Sequence, residues 1–302
     1  MKTITAILVG CDLSEGSDQA IARAIGIAQQ HQALVVLVHA QADDAPIDHV
    51  DNEMLKQLGE VSAAVRVEEA RQLADRLTLI QKAGLRTEIV SRIGPPAEVL
   101  SAAALEHHAD LIVVGTQGRT GISRFLLGSV ATETVRHAPC DVLVCRGPSP
   151  QLPFQRPLVA MDFSPAAAKA LAHAAAVTAT GAQIEVVHAW QLPAGSWGAT
   201  LLGQARFPWN TVRDAVLSGA KAQAEKVEKE AAALGHPIHV ELVQGPPTSV
   251  ITQAAERGGH DLIAVGAHGH RGVRRLLLGS VAESTIRHSP CSVLVVHGTV
   301  AA

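Results

Sequence analysis

Apolar residues in this chain fall into two alternating patterns: short unbroken runs, and longer stretches with helical spacing. Ile4–Val9 is a short apolar run, Asp12-Leu13-Ser14 reads as a helix cap, and an Ala/Ile-rich helical segment continues to about His31. Leu34–Ala40 is a second run. From about Val50 to Ala83 the residues favour helix, being rich in Glu, Arg, Leu and Ala, and Gly84 ends the segment. Thr87–Arg92 alternates in the manner of a strand near a sheet edge. Gly94-Pro95-Pro96 reads as a turn and Ala97–His107 as a helix. Asp110–Val114 follows as a buried strand, Ser129–His137 as a helix and Val142–Cys145 as a last strand. Such alternation implies a parallel sheet with right-handed crossovers and helices on both faces.

The order then repeats. Strands are expected near residues 157–161, 183–189, 238–243, 261–265 and 292–296, and helices near 165–180, 210–234, 247–257 and 280–288. Residues 109–145 align without a gap to residues 260–296, with 22 of 37 positions identical. A repeat of this length is a duplicated domain, since solenoid units run roughly 20–50 residues. The 302 residues suit two domains, expected at 1–146 and 156–302 with a linker at 147–155. The linker holds Gly147, Pro148, Pro150 and Pro153, and should be short and stiff.

Composition narrows the classes. Apolar residues make up 47% of the chain and are overwhelmingly aliphatic, with no Tyr, four Phe and three Trp, as expected of helices packed on a buried sheet. A net charge of −3 and no aromatic-plus-basic surface argue against nucleic acid as a partner. Cys11, Cys140, Cys145 and Cys291 match neither a zinc site nor a disulfide framework, and read as buried thiols of a reducing compartment. Leu8-Val9-Gly10-Cys11 imitates a lipoprotein cleavage box. The region nonetheless recurs as RPLVAMDFSPAAAKAL in the second half, so it reads as a first strand. No stretch reaches the ~20 apolar residues of a membrane helix, and a cytoplasmic protein without a membrane partner is expected.

The halves diverge most after the second strand. Residues 190–209 hold Trp190, Trp197, Phe207 and Trp209, four of the seven aromatics, where the first half is acidic and polar. That segment reads either as local packing of a longer loop or as a surface for an apolar ligand, a protein partner or a homodimer contact.

The retained chemistry is glycine spacing. Gly115, Gly118, Gly121, Gly128 and Ser129 recur 151 residues later as Gly266, Gly269, Gly272, Gly279 and Ser280. A strand ending in glycine, a loop without side-chain bulk and a helix opening on Gly-Ser let backbone N–H groups converge on an anion. Arg119 and Arg124 lie within the first loop, and His270, Arg271, Arg274 and Arg275 within the second. The pattern is neither the P-loop, whose lysine is absent, nor the dinucleotide fingerprint, which follows the first strand. Asp12 with Ser14, and Asp162 with Ser164, stand at the end of the first strand of each half. Each Asp could cap the following helix or accept from an adenine amino group or a ribose hydroxyl. In an open α/β sheet, ligands lie beyond strand C-termini where the winding reverses.

These residues resemble the universal stress protein family, in its tandem-domain, nucleotide-binding branch. The resemblance spans nearly the whole chain: the Asp–x–Ser, the VLVHA and EVVHA second strands, RIGPPAEVL and VQGPPTSVI, and the glycine motif followed by GSVA and HxPC–VLV. It implies an α/β fold of two tandem open five-stranded parallel sheets, order 3-2-1-4-5, related by a pseudo-two-fold. It also implies ATP, or ADP or AMP, at the sheet's C-terminal edge, with Mg2+ or Mn2+ held mainly by the phosphates. Asp12 and Asp162 would contact adenosine, and Ala40 and Ala189 would bind adenine through the backbone. Gly115, Gly118, Arg119, Gly128, Ser129 and Val130 would cradle ribose and phosphates in the first half. Gly266, Gly269, Gly279, Ser280 and Val281 would do so in the second. The last strands, Val142–Cys145 and Ser292–Val296, would form an intramolecular pseudo-dimer. Gly10 and Ala160 stand where family members often carry Pro, and His268 and His270 replace Gln117 and Arg119.

Fifteen His invite a metal reading, but none comes with further ligands at metal spacing, and His39 and His188 read as buried structural residues. No loop lysine and no nucleophile–base pair can be assigned, so no catalytic residue is expected. The expected role is ATP-binding regulation in a stress response, with nucleotide as a conformational ligand. The alternatives are a slow ATPase or other ATP-using enzyme, and a binding protein acting through residues 190–209. Adenylating relatives would carry a Ser/Gly-rich loop that Gly10-Cys11-Asp12-Leu13-Ser14 lacks.

Overall fold

A computed structural model describes residues 3–42, 52–116, 128–147, 153–192, 209–269 and 278–297. Its backbone divides into two compact units whose bodies are Thr3–Pro153 and Phe154–Val296. The first runs β1 (Ala6–Gly10), α1 (Glu15–His31), β2 (Leu34–Gln41), α2 (Asn52–Lys82), β3 (Thr87–Ile93), α3 (Pro96–Glu106), β4 (Leu111–Gly115), α4 (Ser129–His137) and β5 (Asp141–Cys145). Every pairing is parallel, in the order β3-β2-β1-β4-β5. The winding therefore reverses between β1 and β4, the reversal at which α/β sheets open a crevice.

The second unit repeats this plan. It contains β6 (Pro157–Ala160), α5 (Pro165–Val177), β7 (Ile184–Trp190), α6 (Trp209–Ala231), β8 (Ile238–Gln244), α7 (Pro247–Gly258), β9 (Leu262–Gly266), α8 (Ser280–His288) and β10 (Ser292–Val296). Its strands are also parallel, in the order β8-β7-β6-β9-β10. The α/β class and the 3-2-1-4-5 order expected from the sequence hold in both units. The helix expected over 165–180 stops at Val177. There Thr178 turns its hydroxyl back to the Ala174 carbonyl, and its backbone bridges to Phe154.

The patterns that predicted these elements also place the core. β1 and β4 are buried over four of five positions and β5 over all five, so they accept helices on both faces. α1 meets them with Ala20, Ile21, Ala24, Ile27 and Ala28, an apolar stripe at helical spacing, each 3% exposed or less. Burying each Ile, Leu or Val contributes roughly 1.5–3 kcal/mol. β3, at the end of the order, is mostly exposed, Ile89 and Ile93 included, so the alternation expected over Thr87–Arg92 does not appear in its burial. Among the described residues no helix is long and apolar enough to cross a membrane.

One close approach sets the height of α1. A methyl at Gly115 would lie 2.7 Å from the Gly16 carbonyl oxygen, so the first turn of α1 rests on the end of β4 backbone to backbone. Gly59, inside α2, has no atom within 4 Å of an added methyl. Gly115→Ala should therefore cost about 1–3 kcal/mol in urea unfolding, because backbone must shift. Gly59→Ala should gain about 0.5–1 kcal/mol from helix propensity.

A second expectation concerns pH. Burial pushes the Cys145 thiol from an ordinary 9.0 up to about 12. The unfolded thiol then loses its proton first, so the contribution is full below pH 9 and is lost as pH climbs toward 12. Stability should fall by about 1.4 kcal/mol per pH unit from this group above pH 9. Cys145→Val should lessen that slope in urea melts, leaving the part contributed by Cys11, whose thiol burial also raises.

Candidate functional site

The turn after β1 is built around one carboxylate. Asp12 Oδ1 accepts from the Ser14 backbone N–H at 3.1 Å and from its hydroxyl at 2.5 Å. The Ser14 oxygen in turn accepts from Ser17 N–H, which makes Ser14 the N-cap of α1. Asp12 is thus not the cap that its position allowed; it is held by the cap. Between them Leu13 sits at φ +65°, a left-handed conformation that costs an aliphatic residue energy. Arg76 of α2 fastens the strained residue: it donates to the Leu13 carbonyl at 3.3 Å and pairs with Asp18 of α1 at 2.7 Å.

β2 ends beside this turn. His39 is buried and its Nδ1 lies 2.7 Å from the Cys11 carbonyl, an acceptor only, so Nδ1 carries the proton. The ring stitches the end of β2 to the end of β1. Its Nε2 faces Glu69 of α2 at 3.7 Å, beyond hydrogen-bonding distance. Burial raises the neighbouring Cys11 thiol, which holds it neutral and unreactive near pH 7.

The far wall is the β4–α4 junction. Gly128 N–H donates to the Thr116 carbonyl at 3.0 Å, so it closes the loop and does not face a ligand. Gly128 is the N-cap of α4 and offers no side chain, and the first turn carries no acidic residue. The N–H groups of Ser129, Val130 and Ala131 open the helix there, where its dipole favours negative charge.

These walls enclose a cavity of about 610 Å³, a size suited to a small-molecule ligand. Asp12, Ala40, Gly115, Gly128, Ser129 and Val130, all picked from sequence, line it together. Gly118 and Arg119 fall outside the described residues. Sequence reasoning missed several lining groups. Cys11 and His39 lie under it, and Gly94, at φ +143°, and Pro96 border it from the turn after β3. Ser62, Val65, Arg66 and Glu69 reach it from α2. The available signal was the length of α2: 31 residues span about 46 Å, whereas the seven-residue β3 spans about 23 Å.

The second unit repeats the frame with different dressing. Asp162 Oδ1 accepts from Ser164 N–H at 2.9 Å, Ser164 caps α5, and Phe163 between them sits at φ +62°. His188, beside Ala189, places Nδ1 2.8 Å from the Met161 carbonyl. The Phe163 ring lies 4.4 Å from the His188 ring. Gly279 N–H donates to the Ala267 carbonyl, and Ser280 and Val281 open α8. A methyl at Gly266 would lie 3.2 Å from Ala166, and one at Gly269 would lie 2.6 Å from Asp162 Oδ2. Asp162 and Gly269 are therefore neighbours, as expected. α8 differs from α4 in carrying Glu283 in its first turn. Among the described residues, no group of three or more His, Cys, Asp or Glu could hold a metal ion.

Comparison with known proteins gives a consistent result. The model of the universal stress protein family matches twice, over residues 3–146 and 153–297. A Staphylococcus aureus (strain USA300) relative, named among the universal stress proteins, is 33% identical over 153 residues, 48% of this chain and 86% of its own length. A universal stress protein from Archaeoglobus fulgidus DSM 4304 superposes with a TM-score of 0.64 at 24% identity, covering 97% of this chain and 98% of that one. A Pseudomonas aeruginosa UCBPP-PA14 structure of the same name superposes at 0.61 with 18% identity, covering 98% and 94%.

Ser14 supports both the helix cap and the Asp12 carboxylate. Ser14→Ala should lower stability by about 1 kcal/mol in urea unfolding. A loss near zero would mean that the cap bond contributes nothing.

Proposed function

The chain belongs to the universal stress protein family, and from that premise we propose that it binds adenine nucleotide, ATP foremost, in the cavity of the first unit. The observation that carries the reading is the meeting of Asp12 with Gly115, Gly128, Ser129 and Val130 around one cavity, from opposite ends of the unit's sequence. The carboxylate suits a sugar hydroxyl or a base amino group, and the open start of α4 suits a phosphate. Any divalent cation would be held mainly by the phosphates.

Bound nucleotide acts here as a conformational ligand in cytoplasmic stress regulation, favouring the arrangement in which the β1 turn, α2 and α4 face one another. The second unit is proposed as a weaker site of the same kind. Glu283 partly compensates the α8 dipole, and Gly269 already lies against Asp162.

Purified protein, denatured and analysed for released small molecules, should yield ATP or ADP, and added ATP should raise the melting temperature. Saturation at a hundred times Kd corresponds to about 2.7 kcal/mol of added stability. Recovery of no adenine nucleotide together with an unchanged melt would end the reading. Sustained multiple-turnover hydrolysis would instead make the protein an ATPase.

A further inference from the structure

The two units finish their outer strands differently. β3 is an end strand of the first unit's order, and β8 of the second's. The Val35 N–H donates to the Arg86 carbonyl at 3.0 Å, and the Gly94 N–H donates to the Gln41 carbonyl at 3.2 Å. Backbone direction alternates along a strand. Glu88, Val90 and Arg92 therefore turn their peptide groups to β2, while Thr87, Ile89, Ser91 and Ile93 turn theirs away from the sheet. Among the described residues, none of those four outward N–H groups has a partner. The side chains beside them are uncovered too, Ile89 being 45% exposed and Ile93 54%. β8 is closed at the matching place. Val240, the counterpart of Ile89, is 9% exposed, and its outward N–H donates to Glu228 Oε1 of α6 at 2.9 Å.

Charge on an edge strand usually prevents pairing. On β3 the charges have both signs, at a spacing that is complementary to itself. In an antiparallel pair of two β3 strands centred on Val90, Glu88 of each copy stands opposite Arg92 of the other. The outward residues then meet as hydrogen-bonded pairs, Ile89 with Ser91 and Thr87 with Ile93. Ile89 of one copy lies diagonal to Ile89 and Ile93 of the other, within reach of apolar contact. Neighbouring registers lose the match: centring on Ile89 sets Arg86 against Arg92, and centring on Ser91 sets Glu88 against Gly94. The same arrangement of β8 would set Glu241 against its own copy.

We propose that the β3 edge of the first unit is a docking surface for a second copy of this chain, paired antiparallel about Val90. Arg92 already holds Glu106 through both terminal nitrogens, and Glu88 faces His107 at 3.4 Å. Those contacts lie within one copy and leave the Arg92 Nε–H for Glu88 of the other. The exposed charges set the register, whereas the backbone ladder and the isoleucines supply the affinity.

The test is sedimentation of the full chain over a range of concentrations. Wild type is compared with Ser91→Pro, Arg92→Glu, the double variant Glu88→Arg with Arg92→Glu, and Glu241→Lys on β8. Wild type should dimerise, and its Ile89 and Ser91 amides should exchange hydrogen more slowly as concentration rises. Ser91→Pro deletes an N–H that a single copy does not use, and should abolish the dimer. Arg92→Glu opposes like charges at two symmetric places and should weaken the dimer about tenfold or more. The double variant restores opposite charges and should recover part of that loss, while Glu241→Lys should match wild type. A wild type that stays monomeric at every concentration would overturn the proposal. So would a dimer that survives Ser91→Pro, since its contact would lie elsewhere, or a double variant as weak as Arg92→Glu. Circular dichroism and melts of each variant separate a lost dimer from misfolding. Should Ser91→Pro fail to fold, Arg92→Glu and the double variant decide the outcome.

Discussion

The contact between Gly16 and Gly115 is the constraint on which the rest of the first unit depends. Because neither residue has a Cβ, the first turn of α1 can rest directly on the end of β4. That closeness leaves the chain only Cys11 to Ser14 in which to leave β1 and enter the helix. Such a short turn forces Leu13 into left-handed backbone, and the Ser14 cap and Arg76 hold it there. Asp12 is consequently fixed beside the cavity with one oxygen already engaged. The second unit has a looser version of this contact, with the Cβ of Ala166 3.2 Å from a methyl added at Gly266. A strained residue follows the carboxylate in both copies, which links the strain to the placement of the Asp.

The frame was legible because its signals are local. Short apolar runs bounded by turn residues read as strands buried on both faces, and β1, β4 and β5 are buried so. The glycine motif and the Asp were legible as chemistry, because duplication separates positions under constraint from those that drifted. Less visible was what each glycine does. Gly115 and Gly128 look alike in sequence, yet one makes room for a helix and the other closes the loop by donating to Thr116. A motif reports that a side chain is unwelcome, not whether the neighbour is ligand or backbone.

His39 and Glu69 show a second limit. His39 was read as a buried structural residue, and its bond to the Cys11 carbonyl is structural. Its other face nevertheless lies under the cavity. A side chain that ties two strand ends together at a switch point necessarily borders the crevice opening there. Glu69 and Arg66 carry no local signal at all, because they reach the site by tertiary placement from the middle of a long amphipathic helix.

That helix reaches beyond what its connection to β3 requires. Strand lengths are nearly matched between units, so the crossover from the second strand to the third needs about the same span in each. The described part of α2 nevertheless has 31 residues, about 46 Å, against about 23 Å for the seven-residue β3 to which it leads. Excess length cannot pack against the sheet, which explains why Met54, Val61, Val65 and Val67 on α2 remain exposed. Selection on sheet packing alone would trim such an overhang. Ser62, Val65, Arg66 and Glu69 on this helix form instead one wall of the cavity.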